Sequence, residues 1–280
     1  MKKTLVTGAD GMLGSEVVDA LADTHDVVGI DLNELDITDE DATRSLLLDV
    51  SPDCVVNCAA YTDVDGAQAQ RELAFEVNAR GAGNVARAGA EAGAFVVQLS
   101  TDYVFDGGKA GPYIESDAPS PVNVYGESKL EGEREVERAS ADSLVVRTAW
   151  LYGHRGRNFV EFVLDAAAAG HPLRIVEDQR GAPTNARDLA TILRELVVRR
   201  PRGVVHATNS GSCSWFEFTR EILEAAGRRG VTVQPIPSSE LDRPAPRPKN
   251  SVLSLERLSS ILGWAPRPWQ EALREYVAER

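Results

Sequence analysis

Thr4-Leu5-Val6-Thr7-Gly8-Ala9-Asp10-Gly11-Met12-Leu13-Gly14 is the stretch on which the fold turns. A short β-prone run enters glycines at every third position, and from Ser15 to Ala22 apolar residues recur at helical spacing. Strand, glycine turn and helix are the setting that a dinucleotide diphosphate needs: a tight turn, close backbone approach, and free N–H groups of a helix start facing the anion. Gly8, Gly11 and Gly14 are spaced G-x-x-G-x-x-G, not the G-x-G-x-x-G of the commonest dehydrogenases, so the turn alone leaves the ligand open.

The next apolar run, Asp26 to Ile30, ends at Asp31, where a carboxylate accepts hydrogen bonds from the adenosine ribose hydroxyls. Asp31 also repels a 2′-phosphate, which favours NADH; NADPH use stays open if the side chain can swing away. Asp36 and Ile37 either lie near the adenine or simply end a loop, and Thr38 or Asp39 caps a helix over 42–48. Cys54-Val55-Val56-Asn57 reads as a third strand. The small residues after it, through Cys58-Ala59-Ala60-Tyr61-Thr62, let a cofactor lie against the backbone at the strand's C-terminal end. A helix is expected over 75–92, with Asn78 either a polar anchor or a surface residue.

Residues 94–99 form a fourth expected strand, followed by Ser100-Thr101-Asp102-Tyr103-Val104-Phe105-Asp106-Gly107. Hydroxyls at a strand terminus can orient a substrate carbonyl or stabilise a developing alkoxide. In Val124-Tyr125-Gly126-Glu127-Ser128-Lys129 a phenol and an ammonium stand four apart at a helix start, on one face. A free tyrosine has a pKa near ~10, and a neighbouring cation favours its phenolate, so Lys129 is placed to tune Tyr125. The same spacing occurs on solvated helices, and the surroundings must decide. A fifth strand follows over 143–147. Strands and helices thus alternate through residue 148, the pattern of an α/β fold with a doubly wound parallel sheet.

The remainder is less regular, with helices expected over 158–169, 186–199, 215–226, 255–262 and 270–278 and strands at 173–176 and 204–207. The organisation expected is a Rossmann domain over 1–148, joined by about 184–207, and a smaller mixed α/β substrate-binding lobe from 149–183 and 208–280. His206 reads as a packed core histidine, having no evident partner. Arg243, Arg247 and Lys249 either bind a diphosphate or are solvated loop charge.

The 280 residues are 43% hydrophobic and 26% charged, within the range of globular proteins. A net charge of −13 argues against a nucleic-acid partner, since phosphate binding needs a basic face. No apolar run reaches the ~18 residues of a membrane span and no signal peptide is evident, so a cytoplasmic location is expected. Cys54, Cys58 and Cys213 are expected as reduced thiols; Cys54 and Cys58 lack a second Cys/His pair, so no metal site is expected. The acidic surface fits either salt adaptation or a moderately acidic mesophilic enzyme.

Together these motifs resemble the extended short-chain dehydrogenase/reductases and, within them, the dTDP-4-dehydrorhamnose reductase family. The resemblance spans essentially the whole chain. Its specific parts are Ser100 to Gly107, Asp178-Gln179-x-Gly181-x-Pro183-Thr184 and Arg247-Pro248-x-Asn250-Ser251, whereas the glycine turn and Tyr/Lys pair mark only the superfamily. It implies Thr101, Tyr125 and Lys129 as the catalytic set, with Lys129 also holding the nicotinamide ribose. It implies that Gly11, Met12, Leu13, Asp31, Asp36, Ile37, Ala60, Tyr61 and Thr62 line an NADH or NADPH site. Thr101, Asp102 and Trp150 would touch the sugar, with Val64 and Tyr103 nearby and Asn250 helping to close over the nucleotide. The reaction implied is reduction of the C4 ketone of a dTDP-linked 6-deoxyhexulose. Some members form dimers that use magnesium and others do not, so a homodimer and magnesium are both left open. Another nucleotide-sugar 4-ketoreductase, an epimerase or a dehydratase would share the sheet, the cofactor turn and the Tyr/Lys pair, but a dehydratase would need a glutamate after Thr101-Asp102, where Tyr103 stands. A non-catalytic regulatory subunit, like that of methionine adenosyltransferase, would have no need of the intact Thr101, Tyr125 and Lys129.

Overall fold

The computed structural model describes residues 1–280. Six parallel strands form one sheet: β1 (Lys2–Thr7), β2 (His25–Ile30), β3 (Cys54–Asn57), β4 (Phe95–Thr101), β5 (Ser143–Thr148) and a sixth at Gly203–His206. Their order across the sheet is β2, β1, β3, β4, β5 and the sixth, so the winding reverses between β1 and β3. Doubly wound sheets bind ligands at such a reversal, beyond the C-terminal strand ends. All four residues of β3 and all seven of β4 are buried, as expected of strands covered on both faces. No third strand extends the edge beyond β2. After β2 the chain crosses instead through α2 (below) directly into β3.

α1 (Met12–Leu21) follows β1 and α2 (Glu40–Val50) follows β2. β3 leads through α3 (Val64–Ala69) and α4 (Arg71–Phe75) into a π-helical turn at Glu76–Gly81 and then α5 (Ala82–Glu91). α6 (Val124–Ala139) precedes β5, and α7 (Phe159–Ala168), α8 (Ala186–Arg199), α9 (Trp215–Ala225), α10 (Glu256–Leu262) and α11 (Trp269–Ala278) complete the helices. Alternation along the strands sends Val6 and Val56 to a core shared with α1, α8 and α10, and Leu5 and Val55 to one shared with α2 and α5.

A further core joins α7, α9 and α11 around Val160, Phe218, Ile222, Trp269 and Tyr276. Beside it Leu173–Val176 pairs in parallel with Val233–Ile236. The latter strand contains a proline. Its Pro235 donates no N–H, which a two-strand sheet tolerates because each strand is an edge. The two closing helices separate: Leu258 and Leu262 of α10 pack with the sheet, Leu273 and Tyr276 of α11 with the second core. The helix expected as one element over 75–92 carries the π turn instead, for a reason seen at the site. No helix is long and apolar enough to cross a membrane.

Candidate active site

A cavity of about 1170 Å³ opens along the C-terminal strand ends at the β1/β3 reversal. Thr7, Asp31, Cys58 to Thr62, Leu99 to Asp102 and Thr148 to Leu151 line it, each group at the C-terminal end of a different strand. Tyr125 and Lys129 enter from α6.

At one end the glycine turn meets α1. Gly8 has φ +65°, and a Cβ there would lie 2.7 Å from the Ala59 nitrogen; one on Gly14 would lie 2.0 Å from the Gly8 oxygen. Those two glycines let the turn, the helix and the loop after β3 pack together. Gly11 is the N-cap of α1 and offers no side chain to its first N–H groups, and the first turn holds no acid, so the helix start faces the cavity with unspent donors. Asp31 is held in place: its carboxylate accepts the Asp10 N–H at 2.8 Å and the Leu32 N–H at 2.7 Å. Asp36 also lines the cavity, accepting both the N–H and hydroxyl of Thr38. Leu32 and Leu73 line the same end while 70% and 41% exposed, leaving an apolar edge that a flat heterocycle would cover. Unspent helix donors, a fixed carboxylate and open apolar side chains fit a dinucleotide.

At the other end a buried polar chain runs across the sheet to the lysine. The Thr7 hydroxyl donates to Asn57 Oδ1, Asn57 Nδ2 to Gln98 Oε1 at 2.7 Å, and Gln98 Nε2 to the Leu99 carbonyl at 2.8 Å. Lys129 Nζ donates to that same carbonyl at 2.7 Å. Burial holds the lysine down to about 8, with the Glu133 carboxylate opposing the fall. Burial pushes the Tyr125 phenol up to about 12, opposed by the Thr101 hydroxyl and reinforced by the Asp102 carboxylate. The sequence led to the opposite expectation, a phenol depressed by Lys129. The ammonium instead turns to a backbone carbonyl, and desolvation decides. Asp102, buried with Oδ2 unpartnered, takes the Thr101 hydroxyl on Oδ1 at 3.0 Å, and burial pushes it up to about 7.

The third side is aromatic. Trp150 adopts φ +47° and stacks on Trp215 at 3.5 Å and 7° between planes. A Cβ on Gly181 would lie 2.3 Å from the Trp150 ring, which explains the glycine in Asp178-Gln179-Arg180-Gly181. No three His, Cys, Asp or Glu side chains gather as a metal site, and the three cysteines are free.

With this geometry in place, likeness to known proteins adds a family. The family described as "RmlD substrate binding domain" matches residues 1–280. The chain belongs to the RmlD family. The RmlD chain is 43% identical over 282 residues to a dTDP-4-dehydrorhamnose reductase of Mycolicibacterium smegmatis, covering 99% of this chain and 85% of that one. It is 41% identical over 281 residues to the spore coat polysaccharide biosynthesis protein SpsK of Bacillus subtilis, covering 100% and 98%. A solved dTDP-4-dehydrorhamnose reductase from Bacillus anthracis, in complex with NADP, superposes with a TM-score of 0.96 at 36% identity, covering 100% and 99%.

In this RmlD-family chain the cavity gathers most of the residues singled out by sequence: Gly8, Gly11, Met12, Leu13, Gly14, Asp31, Asp36, Ile37, Ala60, Tyr61, Thr62, Thr101, Asp102, Tyr125, Lys129 and Trp150. Val64, Tyr103 and Asn250 are not among its lining. Val64 opens α3, and Tyr103 sets its ring edge-on to Tyr125 at 5.9 Å. Asn250 spends its amide on the Lys109 and Gly111 carbonyls, tying down the loop after Phe105. Arg247 is neither solvated nor free for a diphosphate: it grips Asp65 through two bonds of 2.6 and 2.7 Å. His206 is fully buried, its ring edge-on to Phe105, and burial and Arg147 hold it down to about 3.

Asn78 resolves to the anchor. Its amide accepts the Tyr61 N–H and donates to the Tyr61 carbonyl and the Ser128 hydroxyl, joining the loop after β3 to α6. The π turn brings it there, with Gly132 leaving room for the Asn78 carbonyl. Hydrophobic periodicity has no signal for such a turn. Arg157 and Trp215 were also missed, each on a segment that reads as ordinary loop or helix start.

Proposed function

We propose that this chain reduces the C4 ketone of dTDP-4-dehydro-6-deoxy-L-mannose (dTDP-4-dehydrorhamnose) to dTDP-L-rhamnose, with a nicotinamide dinucleotide as hydride donor. The observation that carries it is the convergence of Thr101, Tyr125 and Lys129 at one end of a dinucleotide-shaped cavity in an RmlD-family chain. A bound dihydronicotinamide supplies the hydride, and the protein supplies position and charge. The α1 start with Gly11, Met12 and Leu13 would hold the diphosphate, Asp31 the adenosine ribose, and Lys129 the nicotinamide ribose. Thr101 hydrogen-bonds the ketone oxygen, and Tyr125 gives that oxygen its proton. A phenol pushed up to about 12 is fully protonated at neutral pH, as a proton donor must be. Trp150, braced by Trp215, forms the sugar's apolar wall.

NADH is the favoured cofactor. Asp10, Asp31 and Asp36 line the adenosine end, whereas the cations lining the cavity are Lys129, placed at the catalytic end, and Arg157. Fixed to two backbone N–H groups, Asp31 is held against swinging away from a 2′-phosphate. A cytoplasmic location suits a nucleotide-sugar substrate. Elimination chemistry is disfavoured because Tyr103 stands where a dehydratase needs a second proton-transfer group.

The test is NADH oxidation with dTDP-4-dehydro-6-deoxy-L-mannose and identification of the sugar formed. Stoichiometric NADH loss with dTDP-L-rhamnose is expected; a different deoxysugar, or a merely catalytic need for NAD, would overturn the assignment.

A further inference from the structure

Beside the catalytic pair lies a buried charge cluster that the reaction as written does not use. Glu133 stands one helical turn after Lys129 on α6 and is 6% exposed, against 4% for the lysine. Its carboxylate takes Arg147 Nε at 2.9 Å and Nη2 at 2.6 Å from β5, and the Ser100 hydroxyl from β4. Ser100 sits between Leu99, whose carbonyl takes Lys129, and Thr101, whose hydroxyl lies against the phenol. One carboxylate therefore fixes the middle of the three β4 residues that carry the site.

The charge count is uneven. Arg147 and Lys129 are two buried cations near one buried carboxylate, which pairs with Arg147, and Arg147 leaves Nη1 unpartnered, its guanidinium 5.1 Å from the Phe105 ring centre. A buried ammonium needs a counter-charge, because desolvation otherwise strips its proton. The groups acting on Lys129 are Glu133 from its own helix and the Cys58 thiol from the end of β3. The neighbours from β4 and β5 are the Leu99 carbonyl and, through Glu133, Arg147. The Tyr125 phenol, one turn back on α6, completes the set.

We propose that Glu133 is a positioning residue for the reduction: its carboxylate, paired with Arg147, bonded to Ser100 and one helical turn from the buried Lys129, favours the charged lysine and holds the strand end that carries Thr101. This rests on the reading of Tyr125 and Lys129 as the catalytic pair.

The test is the pH profile of kcat/KM at saturating NADH for Glu133→Gln, and for Glu133→Gln combined with Arg147→Gln, which leaves no unpaired guanidinium if the single variant folds poorly. Both remove the charge while leaving an amide able to accept from Ser100. In Glu133→Gln the alkaline limb is expected to move down by about one pH unit or more, the order produced by removing a charge one helical turn away in a buried setting; in the double variant, which also loses the Arg147 cation, a smaller downward move is expected. Activity is expected to recover toward the parent's at acid pH, where Lys129 is charged without help. A deficit equal at every pH, an unmoved alkaline limb, or failure of both variants to fold would assign the cluster to stability alone and overturn the proposal. Lys129→Met run in parallel separates the two levels: full activity there removes the underlying catalytic reading instead.

Discussion

Replacing Tyr125 with phenylalanine removes one oxygen from the centre of the site and leaves nearly everything around it in place. The ring keeps its edge-on contact with Tyr103 at 5.9 Å, and its backbone carbonyl still takes the Ser128 hydroxyl at 2.8 Å. The hydroxyl lost is a phenol held at about 12, so at pH 7 only about one in 10⁵ is ionised and the group has a proton to give in essentially every molecule. A positioned donor contributes about 10²–10⁴ in rate, or roughly 3–5 kcal/mol of barrier. Lys129 does not replace it without rearrangement, being engaged with the Leu99 carbonyl. The assay is single-turnover NADH oxidation with the 4-keto sugar at saturation, alongside fluorescence titration of NADH and thermal unfolding. A kcat loss of at least ~100-fold with near-parental NADH affinity is expected. Turnover within a few-fold of the parent would refute the reasoning, because the proton would then come from elsewhere.

Three further outcomes follow from the same groups. Lys129 is held down to about 8 from an ordinary 10.5, so keeping it charged costs stability in full below pH 8 and the cost fades as pH rises toward 10.5; Lys129→Met should raise unfolding stability at pH 7 by up to about 3 kcal/mol, less the value of the Leu99 bond, while abolishing turnover. Asp102 has the opposite sign: a carboxyl raised from 3.8 to about 7 binds its proton more tightly folded than unfolded, so stability falls as pH rises through that window. Asp102→Asn should flatten the pH dependence of the melting temperature between pH 4 and 8, and an unchanged slope would contradict the burial argument. Asp31→Ser should shift the kcat/KM ratio toward NADPH by about tenfold or more, the value of one charge–charge term at the ribose, as competing cofactor titrations would show.

The fold was largely legible because parallel strands buried on both faces read as apolar runs, and Gly8, Gly14 and Asp31 stand where a strand–turn–helix must place them. That Thr101, Tyr125 and Lys129 meet at one cavity was legible because Tyr125 and Lys129 share a helix face and Thr101 ends a strand. What was not legible depends on contacts distant in the chain. Asn78 meets Tyr61 and Ser128 only through a π turn, Trp150 meets Trp215 across the second core, and Arg247 meets Asp65 across 182 residues of chain. The direction of the Tyr125 shift was misread for a related reason: spacing reveals that a cation is near, but not that a Leu99 carbonyl claims it while burial acts on the phenol.

The most direct measurement uses NADH deuterated at the transferable position of the nicotinamide, with dTDP-4-dehydro-6-deoxy-L-mannose, and locates the label in the product by NMR. The account predicts one deuterium at the sugar C4 for each NADH oxidised, in dTDP-L-rhamnose. Label at another carbon, or a product without deuterium while the cofactor is regenerated, would contradict it.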